Sequence, residues 1–182
     1  FCEYRDSRSF PLLLPLLDQP CPVERMSVVY ALGRNPCPTA VEKLVSLLET
    51  DDNAYVRRAT AWSLANYDNQ IVLEPLINAL KNDVAAVRLW SSSSLAEIGN
   101  VSLENAQLAA EQLLISLKID NEPGVRSNCI WSLCRLYEKL NNTFQESFVD
   151  ECTKIALFDK EPSVMEEAKT ALDSMGMQGF YN

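Results

Sequence analysis

The apolar positions of this chain recur at helical spacing, and they recur as a block. In the stretch DDNAYVRRATAWSLANY, residues 51–67, an acidic turn leads into Val56 and Arg57, and Thr60 and Leu64 follow four and eight places after Val56. Residues of an α-helix turn by about 100° each, so these positions share one face. The block returns as NDVAAVRLWSSSSL ending at Leu95, NEPGVRSNCIWSL ending at Leu133 and KEPSVMEEAKTAL ending at Leu172. A fainter copy, PVERMSVVYAL, ends at Leu32. Eight places before each Leu stand Glu24, Val56, Val87, Val125 and Val164, at steps of 32, 31, 38 and 39 residues. Such a period marks a two-helix repeat, in which no unit buries its apolar face alone. The pattern predicts an all-α fold: an α-solenoid of about five helix pairs in a right-handed superhelix, with residues 1–182 forming a single domain.

Each block is preceded by another amphipathic segment. In repeat one this is 10–17, interrupted by Pro11 and Pro15, and the second helix follows over 23–32 with Gly33 as its expected C-cap. Repeat two opens at Pro38, and Val41, Leu44, Val45, Leu47 and Leu48 form its apolar face. Repeat three carries Ile71, Leu73, Leu76, Ile77 and Leu80 on its first helix, where Pro75 is expected to produce a kink, and its second helix covers 85–98. Repeat four pairs 109–117 with 125–140, and repeat five pairs 144–158 with 162–175. The longer late steps assign extra residues to 101–107 and 141–145, read as loop insertions. The tail MGMQGFYN reads as an end cap or a contact segment.

Counting from the anchor as position zero, the helices can be read in columns. Position four holds Val28, Thr60, Ser91, Cys129 and Ala168, and position eight is always Leu, so positions zero, four, seven and eight form the expected buried seam. Position one holds Arg25, Arg57, Arg88, Arg126 and Met165. Six residues before each lies Gln19, Asp51, Asn82, Asp120 or Asp159, in the turn between the helices. An Arg row could await an anion, but the favoured reading is a structural ladder in which each Arg hydrogen-bonds a polar turn residue. Position six holds Tyr30, Trp62, Ser93, Trp131 and Thr170. It lies about 120° from the seam centre, and Trp90, at position three, falls on the same flank. Aromatic side chains placed by the repeat on a partly exposed flank suggest a partner-binding surface, against the alternative of packing between neighbouring helices. Arg58 sits beside that flank with Tyr55 and Tyr67, a set suited to an aromatic ligand bearing carboxylates, such as a linear tetrapyrrole.

Composition narrows the chemistry. The chain has 182 residues, 47% of them hydrophobic, a net charge of −9 and no His. The charge disfavours nucleic acid and anionic membrane surfaces as partners. Without His, Ser-His and Cys-His catalysis is excluded, as are zinc sites with His ligands. No stretch approaches the roughly 20 apolar residues of a membrane span. The start, FCEYRDSRSF, lacks the shape of a signal peptide. Six Cys without a CxxC suggest free thiols in a reducing compartment. Cys129 and Cys134 are about 140° apart on one helix and cannot jointly chelate a metal. Cys21 and Cys37 precede Pro in turns and are the better thiol candidates, for instance as cluster ligands shared with a partner. The carboxylate pairs Asp51-Asp52 and Glu166-Glu167 read as solvated charge.

The acidic turn, the Val-Arg pair and the small-x-x-x-Leu seam of AYVRRATAWSLANY, AAVRLWSSSSLAEIGN and PGVRSNCIWSL resemble HEAT repeats. The Trp-rich second helices resemble more narrowly the HEAT-like repeats named after phycobilin lyases of cyanobacteria and plastids. The resemblance implies a cytoplasmic or stromal protein with one of three roles. The first is a scaffold or chaperone binding a phycobiliprotein-like client, or a related HEAT-repeat subunit, through the aromatic flank. The second is a subunit of a bilin lyase attaching a linear tetrapyrrole to a client Cys. The third is a partner in iron–sulfur cluster assembly. No catalytic residue carries over by motif.

Overall fold

The computed structural model describes residues 7–177 and 179; Cys2, Gln178 and residues 180–182 of the tail lie outside the described residues. Among the described residues, all regular structure is helical. The α-helices are α1 (Phe10–Leu13), α2 (Pro22–Arg34), α3 (Val41–Thr50), α4 (Ala54–Leu64), α5 (Leu73–Asn82), α6 (Ala85–Gly99), α7 (Leu103–Ile119), α8 (Pro123–Leu136), α9 (Asn142–Phe158) and α10 (Pro162–Ser174). They form five consecutive pairs, an all-α solenoid arrangement, and fall into two compact units that divide between Ile98 and Gly99. In the first unit α3 packs on α4 and α2 on α4; in the second α7 packs on α8, α9 on α10 and α8 on α10.

The seam explains the pairing. Val56, Thr60 and Leu64 are buried, and so are their counterparts Val87, Ser91 and Leu95, then Val125, Cys129 and Leu133, then Val164, Ala168 and Leu172. Position seven is small and buried throughout: Ala31, Ser63, Ser94, Ser132 and Ala171. Small residues let neighbouring helices approach closely, and Ser94 Oγ on α6 donates to the carbonyl of Ala61 on α4 at 2.8 Å. One seam position departs from expectation. Glu24 is exposed, because a buried carboxylate without a partner would lose its hydration uncompensated.

Four local expectations are corrected. Gly33 is not a C-cap; it lies inside α2, which continues to Arg34. A Cβ at Gly33 would stand 2.6 Å from Trp62 Cζ3 and 3.1 Å from Ser63 Cα, so glycine is needed there for α4 to approach. The glycine that caps a helix in the left-handed region is Gly176, at φ 77°, where Met177 N–H donates to the Leu172 carbonyl after α10. Pro75 does not kink α5: the helix starts at Leu73, and a first-turn residue has no intrahelical N–H bond to lose. Residues 101–107 and 141–145 are not loop insertions. Ser102 caps α7 by accepting from Asn105 N–H, and Asn141 caps α9 by accepting from Phe144 N–H, so the extra residues lengthen the first helices. α7 and α9 have 17 residues each, against 10 each in α3 and α5.

Truncating the fully buried seam leucines, Leu64→Ala or Leu133→Ala, is expected to cost about 2–5 kcal/mol in urea unfolding. Unchanged midpoints would rule out the seam. Gly33→Ala would gain about 1 kcal/mol of helix propensity but lose about 1–3 kcal/mol to overpacking against Trp62 and the α4 backbone. A net loss of stability is therefore expected, and a raised Tm would show that the two helices separate easily.

Candidate functional site

The turns are fixed by arginine. Arg57 donates Nη1 to the carbonyl of Asp51 in its own turn at 2.7 Å. Its Nε and Nη2 fork onto the carboxylate of Asp83, in the next turn, at 2.7 and 2.6 Å. Arg25 repeats the pattern, with Nη1 on the carbonyl of Gln19 at 2.8 Å and the fork on Asp51 at 2.7 and 2.8 Å. Arg126 donates to the carbonyl of Asp120 at 3.0 Å and to Asp159 at 2.8 Å. Arg88 donates to the carbonyl of Asp83 at 2.8 Å. Each arginine thus binds the backbone of its own turn, and Arg25, Arg57 and Arg126 also bind a carboxylate of the following turn. In the third repeat the acceptor is Asp83 rather than Asn82, whose side chain bonds back to the Asn78 carbonyl. Burial pushes the carboxyls of Asp51 and Asp83 up, but the bonds from Arg25 and Arg57 and from backbone N–H groups outweigh it and leave both below the ordinary value of 3.8.

The aromatic residues divide into two kinds. Tyr30 and Trp62 are half-buried and pack on each other, with ring centroids 5.4 Å apart and tilted by 55°. Trp62 also covers Gly33, so its ring joins α2 to α4. Trp90 and Trp131 are more open, 36% and 40% exposed. The guanidinium of Arg135, one turn along α8, lies 5.0 Å from the Trp131 ring centroid, within cation–π range. Arg58 is drawn into the first group: Nη2 donates to the Tyr30 hydroxyl at 3.3 Å, and its guanidinium carbon stands 5.7 Å from the exposed Tyr55 ring. Its Nε is buried without a hydrogen-bond partner.

Tyr67 is not on this surface. Its hydroxyl donates to the Leu32 carbonyl at 3.1 Å and accepts from Cys37 N–H at 3.3 Å. Burial pushes its phenol up to about 12. The sequence carries a signal for this role, since the residue lies 35 positions after Leu32, near one repeat period. Cys37 is likewise buried, with Sγ 3.0 Å from Thr39 Oγ1, and so is not the open thiol expected of a turn; Cys21 is exposed. Burial raises the thiol of Cys134 to about 11 and that of Cys152 further. Both stay protonated and unreactive at neutral pH. Among the described residues, no group of three or more His, Cys, Asp or Glu is placed to hold a metal ion, and no helix is long and apolar enough to cross a membrane.

Antiparallel helix pairs tied turn to turn by arginine define an α-helical repeat protein. The chain belongs to the HEAT-repeat family, whose sequence profile matches residues 10–96 and again 41–134. Its fold is similar to that in the complex of CpcE and CpcF of phycocyanin lyase from Nostoc sp. PCC7120, with a TM-score of 0.69 and 22% identity over 91% of this chain and 99% of that one. It is also similar to an engineered protein, with a TM-score of 0.66 and 23% identity over 90% and 79% of the two chains. No curated protein matches it in sequence.

Arg57→Ala leaves Asp83 without its fork and the Asp51 carbonyl without its donor, and is expected to cost about 1–3 kcal/mol by chemical unfolding. The depressed carboxyls also set a pH dependence. Their stabilisation is fully present above the ordinary value of 3.8 and is lost as pH falls through the lower folded values. Asp83→Asn should therefore flatten the fall of stability below about pH 4 in urea midpoints measured against pH. An acid limb as steep as that of the parent would show that the ion pair contributes nothing.

Proposed function

We propose that this chain is a scaffold of the phycobilin lyase type that holds a protein partner against the open tryptophans of its second helices. The carrying observation is Trp131, 40% exposed and faced by Arg135, in a column where repeat five has the exposed Thr170. The repeat works with a small polar residue at that position, so the fold does not require the ring. Large rigid aromatics beside arginine are the side chains that anchor protein interfaces. The similarity in fold to a two-chain lyase complex supports a partner that is either a phycobiliprotein-like client or a related HEAT-repeat subunit. Trp90 offers a comparable anchor on α6, whereas Trp62 serves mainly to pack α4 on α2.

A second reading, a lyase subunit handling a linear tetrapyrrole, rests on Arg58, whose guanidinium stands between the Tyr30 hydroxyl and the Tyr55 ring. Such a cation beside two rings suits a conjugated ligand bearing carboxylates. A visible absorbance shift on adding free phycocyanobilin, lost in Arg58→Ala, is the expected sign of this role; an unchanged spectrum removes it.

The principal test uses apo-phycocyanin as bait. Trp131→Ala and Trp90→Ala should each weaken capture about tenfold or more while circular dichroism stays that of the parent. Thr170→Ala, in the column of Trp131 but without a ring, should change little. Equal capture by all three variants would show that the tryptophans are packing only.

A further inference from the structure

Two residues of α4 depart from the repeat together. Position two of the second helices holds Met26, Arg58, Leu89, Ser127 and Glu166, and the position before the anchor holds Val23, Tyr55, Ala86, Gly124 and Ser163. The repeat accepts a thioether, an alkyl chain, a hydroxyl or a carboxylate where repeat two has a guanidinium. It accepts a single hydrogen where repeat two has a phenol ring. Tyr55, Arg58 and Trp62 fall within about 60° of one another around α4, so they share one flank.

The neighbouring Arg57 is fully committed, with Nε and Nη2 forked onto Asp83 at 2.7 and 2.6 Å. Arg58 is half-buried as well, yet no carboxylate among the described residues takes the same edge of its guanidinium. Its Nη2 donates to the neutral Tyr30 hydroxyl at 3.3 Å, and its Nε is buried with no acceptor. A guanidinium stays charged in a protein, and buried N–H groups are nearly always satisfied. The edge that holds a carboxylate in every fork of the ladder thus lacks one here, in a chain of net charge −9. Such a cation gains the fold nothing.

We propose that Arg58 receives an acidic side chain of the protein partner, with the Tyr55 ring packed alongside. This rests on the reading of the second-helix flank as the partner surface, and it adds a charged contact on the first unit. A carboxylate would take the fork from Nε and Nη2 once the guanidinium turns from the Tyr30 hydroxyl. That fork is the stronger bond, because both of its groups are charged. A tetrapyrrole propionate offers the same group, but small ligands bind by being enclosed. Tyr55 is 66% exposed, and the cleft of about 520 Å³ in this unit is lined by Arg57 and Asp83 rather than by Arg58. An open ring beside a cation suits a side chain carried by a larger surface.

The site is read without a partner by heteronuclear NMR of the arginine Nε–H groups of the full chain. Titration with N-acetylaspartate amide should move the Arg58 signal, and the asparagine analogue should not. Arg57, held in its fork, and Arg34, which is exposed, are the internal references. An unmoved Arg58 signal would overturn the proposal, and so would equal movement at Arg58 and Arg34, which marks general anion attraction. In capture of apo-phycocyanin, Arg58→Gln should weaken binding about tenfold. Its Tm should be unchanged or raised, since the variant removes a buried N–H that nothing satisfies. Arg58→Lys should recover part of the capture, because an ammonium keeps the charge without the fork. Parental capture in Arg58→Gln beside a loss in Trp131→Ala would overturn the proposal and leave the flank reading intact. A phycocyanobilin absorbance shift lost in Arg58→Gln, with capture at the parental level, would overturn it in favour of a propionate. If the parent chain captures no apo-phycocyanin, the flank reading falls, and the NMR titration alone decides whether Arg58 receives a carboxylate.

Discussion

The structure depends on the guanidinium–turn rung. A two-helix repeat must turn the chain sharply between its helices, and that turn leaves backbone carbonyls without helical partners. Arg25, Arg57, Arg88 and Arg126 each supply a donor to those carbonyls from the helix that follows. The same side chain of Arg25, Arg57 and Arg126 then reaches a carboxylate in the next turn. That carboxylate accepts from the N–H groups of its own loop, as Asp51 does from Asn53 and Asp159 from Glu161. One residue type at one position thus fixes the geometry of its own turn and the spacing to the next. The apolar seam supplies most of the driving force, but it is non-directional and would tolerate some sliding; the planar fork does not.

This explains what the sequence made legible. The seam and the arginine column are periodic, and periodicity survives without any knowledge of neighbours. Helix ends are decided by single contacts, which periodicity does not carry. Gly33 has the look of a terminator, yet its missing Cβ is used by Trp62 and Ser63 of another helix, a contact invisible along the chain. Pro75 resembles a helix breaker until the helix start is placed only two residues before it. Segments 101–107 and 141–145 contain Asn, Ser and Thr, which read as loop, but in each the first polar residue is an N-cap and the polar residues after it lie in the helix. Tyr67 is aromatic and near Arg58 in sequence, which suggests a surface role, whereas its hydroxyl is held inside by two backbone groups.

The repeat also provides an internal reference for function. Where the fold dictates a side chain, all copies converge: Leu at position eight, Ala or Ser at position seven. Where copies diverge without structural cost, the fold does not dictate the side chain. Trp131 against Thr170 is one such divergence, and Phe158 against Asn82 is another. Trp131 lies on α8 and Phe158 on α9.

The lengthened helices carry a consequence of their own. α7 and α9 exceed α3 and α5 by seven residues, close to two full turns at 3.6 residues per turn. An addition of that size returns the helix to nearly the same angular phase, so the core side chains beyond it, such as Leu113 and Leu117 on α7 and Phe148 and Cys152 on α9, stay buried. An addition of five or nine residues would rotate the rest of the helix by roughly half a turn and aim its core side chains at solvent. The first helices of this chain thus differ by close to two whole turns. Long and short units can share one chain because each increment leaves the phase almost untouched, while it extends the lateral wall that the unit offers to its surroundings.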